Sequence, residues 1–500
     1  MSKILKIHSF ETKNNRYIFD GVTSEVIPDS GEILNIIENY YSMTREELLD
    51  RKSDKISQEE FERNYKYVSQ LIEKGMFYGD DEEKPNLSYD LKQRMIDVNG
   101  ASYLIVVLTG KCNLRCEYCI YSDKYPKEIT YSDDDIDPNA ARAAVDQYLE
   151  LHNSRVNSGF QRSPMIMFYG GEPLMKFDVI KEVVEYAKKK NPDSRFFVTT
   201  NGLLLNDEAA EFFAHNRFNV TISLDGYKEN HDRNRVTVGR KPTFDTVIKN
   251  VLNFQRIKKE ANITQLLTFN CCYDKYTDLY KCIKMFEGYY DEFSPFAVYY
   301  SAISPFDTTY YEWTKQHMDA GADDKTLEKS NLRIRKEFFE GDAESNQRFR
   351  NIAVNLMLSE FSLTVRNKRF TPEYNNACVP CSKIAIYPDG TYALCEKMNK
   401  RLPIGNVKTG IDYERTKEVS DMLLKAFSGH CKNCAFRCLC SLCYQYLDEE
   451  GNVNKAFCER EKSNLKKRLV DLYEVAEKHP DFMERIKIDD EKFEWISTMG

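Results

Sequence analysis

Cysteine placement is the feature that most restricts what this chain can fold into. None of the 15 cysteines occurs before Cys112. Cys112, Cys116 and Cys119 share one short loop. Cys271, Cys272 and Cys282 are scattered, and the rest fall between Cys378 and Cys458. No run of 18 or more apolar residues is present, and the N-terminal stretch lacks the apolar core of a signal peptide. The sequence therefore predicts a cytoplasmic protein with no membrane partner. Disulfides are rare in a reducing cytosol, so grouped thiols point to metal or redox chemistry.

At 500 residues the chain is too long for one ordinary core, and roughly 150 residues per domain predicts about three domains. It is 42% hydrophobic and 30% charged, a globular composition. The net charge of −8 offers no basic excess for neutralising phosphates, so no nucleic-acid partner is expected.

Residues 1–78 read as a small α+β unit. Strands are predicted at 3–10, 16–19 and 22–27, the first two joined by Lys13-Asn14-Asn15. Ile33, Leu34, Ile37 and Tyr41 follow helical spacing. Thr44 and Glu47 form a capping-box signature. Phe61, Tyr65, Val68 and Ile72 stripe a third helix that stops at Gly75. Residues 79–99, acidic and turn-rich at their start, read as a linker. Strands at 103–108, 164–169, 195–200, 219–224, 266–271 and 296–300 then alternate with helical segments. That alternation predicts an α/β fold, a parallel sheet or partial barrel over 100–310. Residues 311–370 read as a helical bridge and 371–460 as a cysteine-rich domain needing metal for stability. Residues 461–500 read as a helical tail whose Lys466-Lys467-Arg468 run is a solvated face.

The loop TGKCNLRCEYC follows the first barrel strand. Its spacing, Cys112-x3-Cys116-x2-Cys119, offers three thiolates. They can bind three irons of a four-iron cubane and leave the fourth open to a small molecule. Zinc prefers four ligands at paired spacing. Here the chain resembles the radical S-adenosylmethionine (radical SAM) superfamily. The resemblance implies that the open iron chelates SAM, whose reductive cleavage gives a 5′-deoxyadenosyl radical. It implies that Tyr118 lies near the adenine and that Gly170-Gly171-Glu172-Pro173 holds the methionine amino group. It also implies that Ser223 and Asp225 contact ribose and methionine, and that Arg235 clamps the carboxylate. Each of these sits at or just beyond a predicted strand's C-terminal end, where α/β folds place their chemistry.

The second cysteine-rich region runs Cys378-x2-Cys381, Gly390-x4-Cys395, Cys431-x2-Cys434-x5-Cys440-x2-Cys443 and Cys458. It resembles the SPASM extension of radical SAM enzymes that modify peptides and proteins. The last gap is two residues where that signature has three, and Cys438 is extra. Paired CxxC units also suit zinc. The resemblance implies one auxiliary cluster on Cys378, Cys381, Cys395 and Cys443, and another on Cys431, Cys434, Cys440 and Cys458. With the radical SAM cluster that makes three [4Fe-4S] clusters. Glu396 matches an acidic residue that sulfatase-maturing enzymes use as a base. Cys271, Cys272 and Cys282 lack ligand spacing and read as core residues or free thiols.

The stretches GEILNIIENYYSMTREELL and YVSQLIEKGMF give the first 78 residues a winged-helix-like order. That order resembles the peptide-recognition element of ribosomal-peptide maturases, which binds a leader by strand addition. The whole resembles the sactipeptide and ranthipeptide maturases, which install thioethers from Cys sulfur to carbon. A Cys-rich precursor with a leader is the expected partner, with flavodoxin or ferredoxin as electron donor. Carbon–carbon crosslinking, epimerisation and formylglycine formation are the enzymatic alternatives. An electron carrier or zinc module would have no use for an open iron.

Overall fold

A computed structural model describes residues 3–30, 32–80, 102–125, 130–157, 163–306, 308–318, 322–342, 346–361, 382–398 and 401–482. The chain forms two compact units that cut across the segments expected from sequence. One comprises residues 1–88, 357–378 and 420–500; the other comprises 89–356 and 379–419.

The second unit is built on parallel strands β6 (Tyr103–Val107), β7 (Met165–Tyr169), β8 (Arg195–Thr200), β9 (Asn219–Ser223), β10 (Leu267–Tyr273) and β11 (Ala297–Ala302). They lie side by side in chain order, each parallel to the next. This is the α/β order of a partial (β/α)6 barrel. Every residue of β6 is buried, as expected for a strand covered on both faces. β7 and β9 instead alternate, with Ile166, Phe168, Val220 and Ile222 buried under the outer helices.

The cysteine-rich region contributes more sheet than expected. β12 (Lys383–Ile386) pairs parallel with β6. β13 (Thr391–Ala393), β14 (Gly405–Asn406) and β15 (Gly410–Ile411) then continue the sheet antiparallel. In the bridge, helices run over Tyr310–His317, Thr326–Glu340 and Gln347–Phe361.

The first unit begins with β1 (Lys3–Leu5) and β2 (Ile7–Glu11), separated at Lys6. Lys6 turns its N–H to the Phe77 carbonyl and accepts from Gly21. β3 (Arg16–Asp20) and β4 (Val26–Pro28) complete a three-stranded antiparallel sheet. The third strand starts later than expected because Asp20 accepts from the Val22 and Thr23 N–H groups and holds them in a turn. β5 (Tyr78–Asp80) pairs with β1, so the chain is still in a strand where a linker was expected. Residues 81–99 of that linker lie outside the described residues. The capping box forms: Thr44 Oγ1 accepts from Glu47 N–H and Glu47 Oε2 from Thr44 N–H.

This small sheet is buried on both faces. Ile18 and Ile27 pack with Ile33, Ile36, Ile37, Phe61 and Val68 of the helices. The opposite face presents Phe10 and Phe19 to Phe436, Leu439, Leu465 and Leu469. Each such side chain removed from water is worth roughly 1.5–3 kcal/mol. Residues 1–78 thus hold one core of their own, and the second face of their sheet is covered by C-terminal residues. Helix Lys455–Lys478 also places Glu477 where it accepts from Thr12 Oγ1, Asn15 Nδ2 and Tyr17 O–H at 2.7–2.9 Å, and from Asn14 Nδ2 at 3.1 Å. On the same helix Lys466 and Lys467 are exposed and Arg468 is half-buried. Among the described residues no helix is long and apolar enough to cross a membrane.

Candidate active site

The Cys112–Cys119 loop leaves the C-terminal end of β6 and is stitched in place by backbone bonds. Arg115 N–H donates to the Val236 carbonyl at 2.8 Å and Glu117 N–H to Asn234 at 2.9 Å. The segment carrying Arg235 is thereby laid along the cysteine loop. On the other side Gly171 N–H donates to Thr109 and Glu172 N–H to Lys111. A Cβ on Gly170, whose φ is +137°, would stand 2.7 Å from the Thr109 carbonyl, and one on Gly171 would strike the Lys111 carbonyl. Only glycine permits this approach.

Glu172 is buried and its carboxylate is well occupied. Oε1 accepts from Thr200 Oγ1 at 2.6 Å and Leu174 N–H at 3.0 Å, and Oε2 from Asn201 N–H at 2.8 Å. A carboxylate has about four acceptor sites, so one remains. Burial raises its pKa, against the pull of these donors and Arg235. Asn201 reaches back to the cysteine loop, with Nδ2 2.7 Å from Asn113 Oδ1 and 3.9 Å from Cys112 Sγ.

Asp225, Tyr118 and Arg235 form one hydrogen-bonded chain, its Asp and Arg ends buried. Tyr118 O–H donates to Asp225 Oδ2 at 2.5 Å and accepts from Arg235 Nη1 at 2.7 Å. Asp225 Oδ1 accepts from Cys272 N–H. The Tyr118 hydroxyl is thus a link between charges as well as part of an aromatic face. Burial alone would lower the Arg235 pKa, but Cys116, Tyr118 and Asp225 outweigh it and keep the guanidinium charged. Its buried Nε has no hydrogen-bond partner among the described residues. Ser223, half-buried at the end of β9, makes no hydrogen bond through its hydroxyl among the described residues.

Burial pushes the Cys112 thiol up to about 12, with Glu172 adding to the effect. It raises Cys116 as well, while Arg235 pulls that thiol down. Thiols in such surroundings become thiolates only when a metal replaces the proton. No group of three or more His, Cys, Asp or Glu among the described residues converges as ligands of a single ion would. The fit to a cluster with SAM rests on the donor set: three thiols on one loop, a glycine cradle, a spare carboxylate site and an unpartnered guanidinium Nε.

Glu396 follows Cys395 just beyond β13. Its charge raises the pKa of Tyr169 after burial, and that of Tyr121 after burial and Cys119. Glu396 Oε2 is buried without a hydrogen-bond partner among the described residues.

In the first unit the C-terminal cysteines separate into groups. His430, next to Cys431, places Nε2 3.4 Å from Cys458 Sγ. Ser441, next to Cys440, hydrogen-bonds Glu461 one turn beyond Cys458. Burial raises Cys431 to about 12, with Cys434 and Cys458 contributing. Cys440 is raised by burial and then by Glu461, Cys431 and Cys434. Cys434 influences both Cys431 and Cys440, but among the described residues no three of these thiols are arranged to hold one metal ion. Cys438 Sγ lies 3.9 Å from the Ala435 carbonyl, its thiol pushed up to about 11 by burial, with Asp20 and Cys434 adding to the effect and Ser24 opposing it. Cys378 and Cys381 lie outside the described residues, and Cys395 and Cys443 fall in different compact units.

Sequence reasoning did not find Thr200 or Asn201, although Thr200-Asn201-Gly202 marks the end of β8 as Gly-Gly-Glu marks β7. Of the three scattered cysteines, Cys271 and Cys282 are fully buried, and Cys282 Sγ lies 3.9 Å from the Asp225 carbonyl. Cys272 is a free thiol at the active site, near Tyr118 and Asp225.

Residues 106–270 match the radical SAM superfamily. The cysteine-type anaerobic sulfatase-maturating enzyme of Clostridium novyi (strain NT) is 32% identical over 177 residues, 35% of this chain and 45% of that protein. Its counterpart from Clostridium perfringens (strain 13 / Type A) is 26% identical over 349 residues, 68% of this chain and 87% of that protein. The solved structure of native anSMEcpe with bound AdoMet shares the fold at a TM-score of 0.53 and 19% identity, covering 75% of this chain and 99% of its own. The chain spans about half the length of the 32%-identical curated relatives it matches. The barrel is a radical SAM domain, with the site residues at the C-terminal ends of its strands. What the match shows is this domain over residues 106–270.

Proposed function

We propose that this enzyme installs thioether crosslinks, from Cys sulfur to carbon, in a ribosomally made Cys-rich precursor peptide. The observation that carries the reading is Glu396, a carboxylate with a buried oxygen unpartnered among the described residues, whose charge acts on Tyr121 and Tyr169. Cys112, Cys116 and Cys119 would hold the radical SAM cluster. Glu172 would accept from the SAM ammonium, Arg235 would pair with its carboxylate, and Ser223 and Asp225 would meet its remaining polar groups. When bound, cluster and SAM supply the 5′-deoxyadenosyl radical that takes a hydrogen atom from the peptide.

Closing a C–S bond from a carbon radical and a thiol releases one proton and one electron. Thiolate is the reactive form, and Glu396 is the residue assigned to receive the proton. Cys378, Cys381, Cys395 and Cys443 would hold an auxiliary cluster, which would supply an acceptor for the electron. Cys431, Cys434, Cys440 and Cys458 would hold a second, for three [4Fe-4S] clusters in all. The sheet β2–β3–β4 would receive the leader at its edge. Flavodoxin or ferredoxin would deliver the reducing electron.

The sulfatase-maturating relatives favour a second reading, formylglycine formation at a peptide cysteine. Mass spectrometry of a Cys-rich peptide after anaerobic turnover separates the two. A thioether removes two hydrogens and leaves the sulfur unalkylatable, whereas formylglycine loses the sulfur. Glu396→Gln is expected to keep its iron and its 5′-deoxyadenosine formation but to form fewer crosslinks. Undiminished crosslinking would remove Glu396 from the mechanism.

A further inference from the structure

The motif HDRNR contains more than Arg235. His231 lies fully buried within it, and no step above uses it. Its Nδ1 accepts from Asp225 N–H at 3.3 Å, so the ring proton is on Nε2. Nε2 lies 3.0 Å from Thr243 Oγ1 and donates to it. The Thr243 hydroxyl in turn donates to the Arg235 carbonyl at 2.6 Å. Burial and the nearby Arg235 hold this imidazole neutral, as the donor–acceptor order requires. The intervening helix, Lys228–Asn234, is fastened separately. Asp232 accepts from the Thr243 and Phe244 N–H groups, and Arg233 makes two bonds to Asp274.

We propose that His231 and Thr243 are positioning residues for SAM, a directional hydrogen-bond relay that sets the spacing of Asp225 and Arg235. The inference rests on the radical SAM reading of the site. Asp225 and Arg235 lie on opposite ends of one short helix, and their side chains meet only through the Tyr118 hydroxyl. The relay closes the circuit on the backbone side. Removing the Thr243 hydroxyl leaves a buried N–H and a buried carbonyl without their partner, and the Arg235 backbone is released from that tie.

The test uses the full chain, anaerobically reconstituted with iron and sulfide, and SAM itself as the probe. Thr243→Val keeps the shape and loses the hydroxyl. Thr243→Ser keeps the hydroxyl. His231→Asn breaks the relay at its centre. Equilibrium dialysis with labelled SAM should show about a tenfold rise in Kd for T243V and H231N, and less than about a twofold change for T243S. The KM for SAM should rise with Kd, while kcat for 5′-deoxyadenosine should move less than about twofold. A purely structural role would lower stability equally but leave the Kd of the folded protein unchanged. Wild-type affinity in T243V or H231N, or equal weakening in T243S and T243V, overturns the relay. A wild-type protein that does not bind SAM overturns the radical SAM reading itself.

Discussion

Replacing Glu172 with Gln changes one buried atom from acceptor to donor. With the Gln oxygen facing Thr200 and Leu174, its NH2 faces the Asn201 N–H, which now donates at 2.8 Å. The opposite orientation sets the NH2 against Thr200 and Leu174. Either way at least one buried backbone N–H loses its partner, and the remaining bonds lose a charge. Leaving one buried donor unpaired costs about 1–3 kcal/mol, and about 2 kcal/mol is thirtyfold in an equilibrium constant. The displacement passes to Asn201, which touches Asn113 and Cys112. Glu172→Gln should therefore destabilise the barrel unit by about 2 kcal/mol in urea, followed by circular dichroism, and should also weaken SAM binding. A variant with wild-type urea midpoint and wild-type SAM affinity would refute the assignment of Glu172 as the tie between the strand ends and the cysteine loop.

Iron content tests the grouping of the C-terminal cysteines: Cys438→Ser should keep wild-type iron after anaerobic reconstitution, whereas Cys440→Ser should lose about four irons, the content of one cubane. Loss of four irons from the Cys438 variant would return that residue to the ligand set. Burial alone would raise the Glu477 pKa, but the hydrogen bonds from Thr12, Asn15, Tyr17 and Asn14 outweigh it and hold it at about 2. A carboxyl depressed on folding contributes stability above its unfolded pKa, and that contribution is lost as pH falls from about 4.5 toward 2. Allowing for its solvent contact, wild type should lose about 1 kcal/mol more than Glu477→Gln over that range in acid unfolding; parallel pH profiles would show that Glu477 does not fasten the N-terminal sheet.

The barrel was legible because its information is local. Each motif ends a strand, so predicting the strand at 164–169 also placed Gly170 and Glu172 beside the loop carrying Cys112. The partners of those motifs were less visible. Asn201 and Thr243 are ordinary polar residues; the parallel register of β7 and β8 brings Asn201 to Glu172 and the cysteine loop, and the turn into the helix Phe244–Glu260 brings Thr243 to Arg235. The N-terminal sheet held a signal that did not name its partner. Tyr17, Ile18 and Phe19 are apolar on consecutive positions, so both faces of β3 are buried. Nothing local reveals that Phe436 and Leu469, more than 400 residues on, cover the second face. β12 was hidden for a similar reason. Lys383–Ile386 is too short to stand out among cysteines, and it is a strand because β6 offers it an edge.

The central claim is that Cys112, Cys116 and Cys119 hold a cluster that opens SAM to a radical. It is tested most directly by 5′-deoxyadenosine formation from SAM under anaerobic reduction, with the wild type beside Cys112→Ala/Cys116→Ala/Cys119→Ala. The account predicts 5′-deoxyadenosine from the wild type and none from the triple variant. Equal formation by both, or none from a fully iron-loaded wild type, would contradict it.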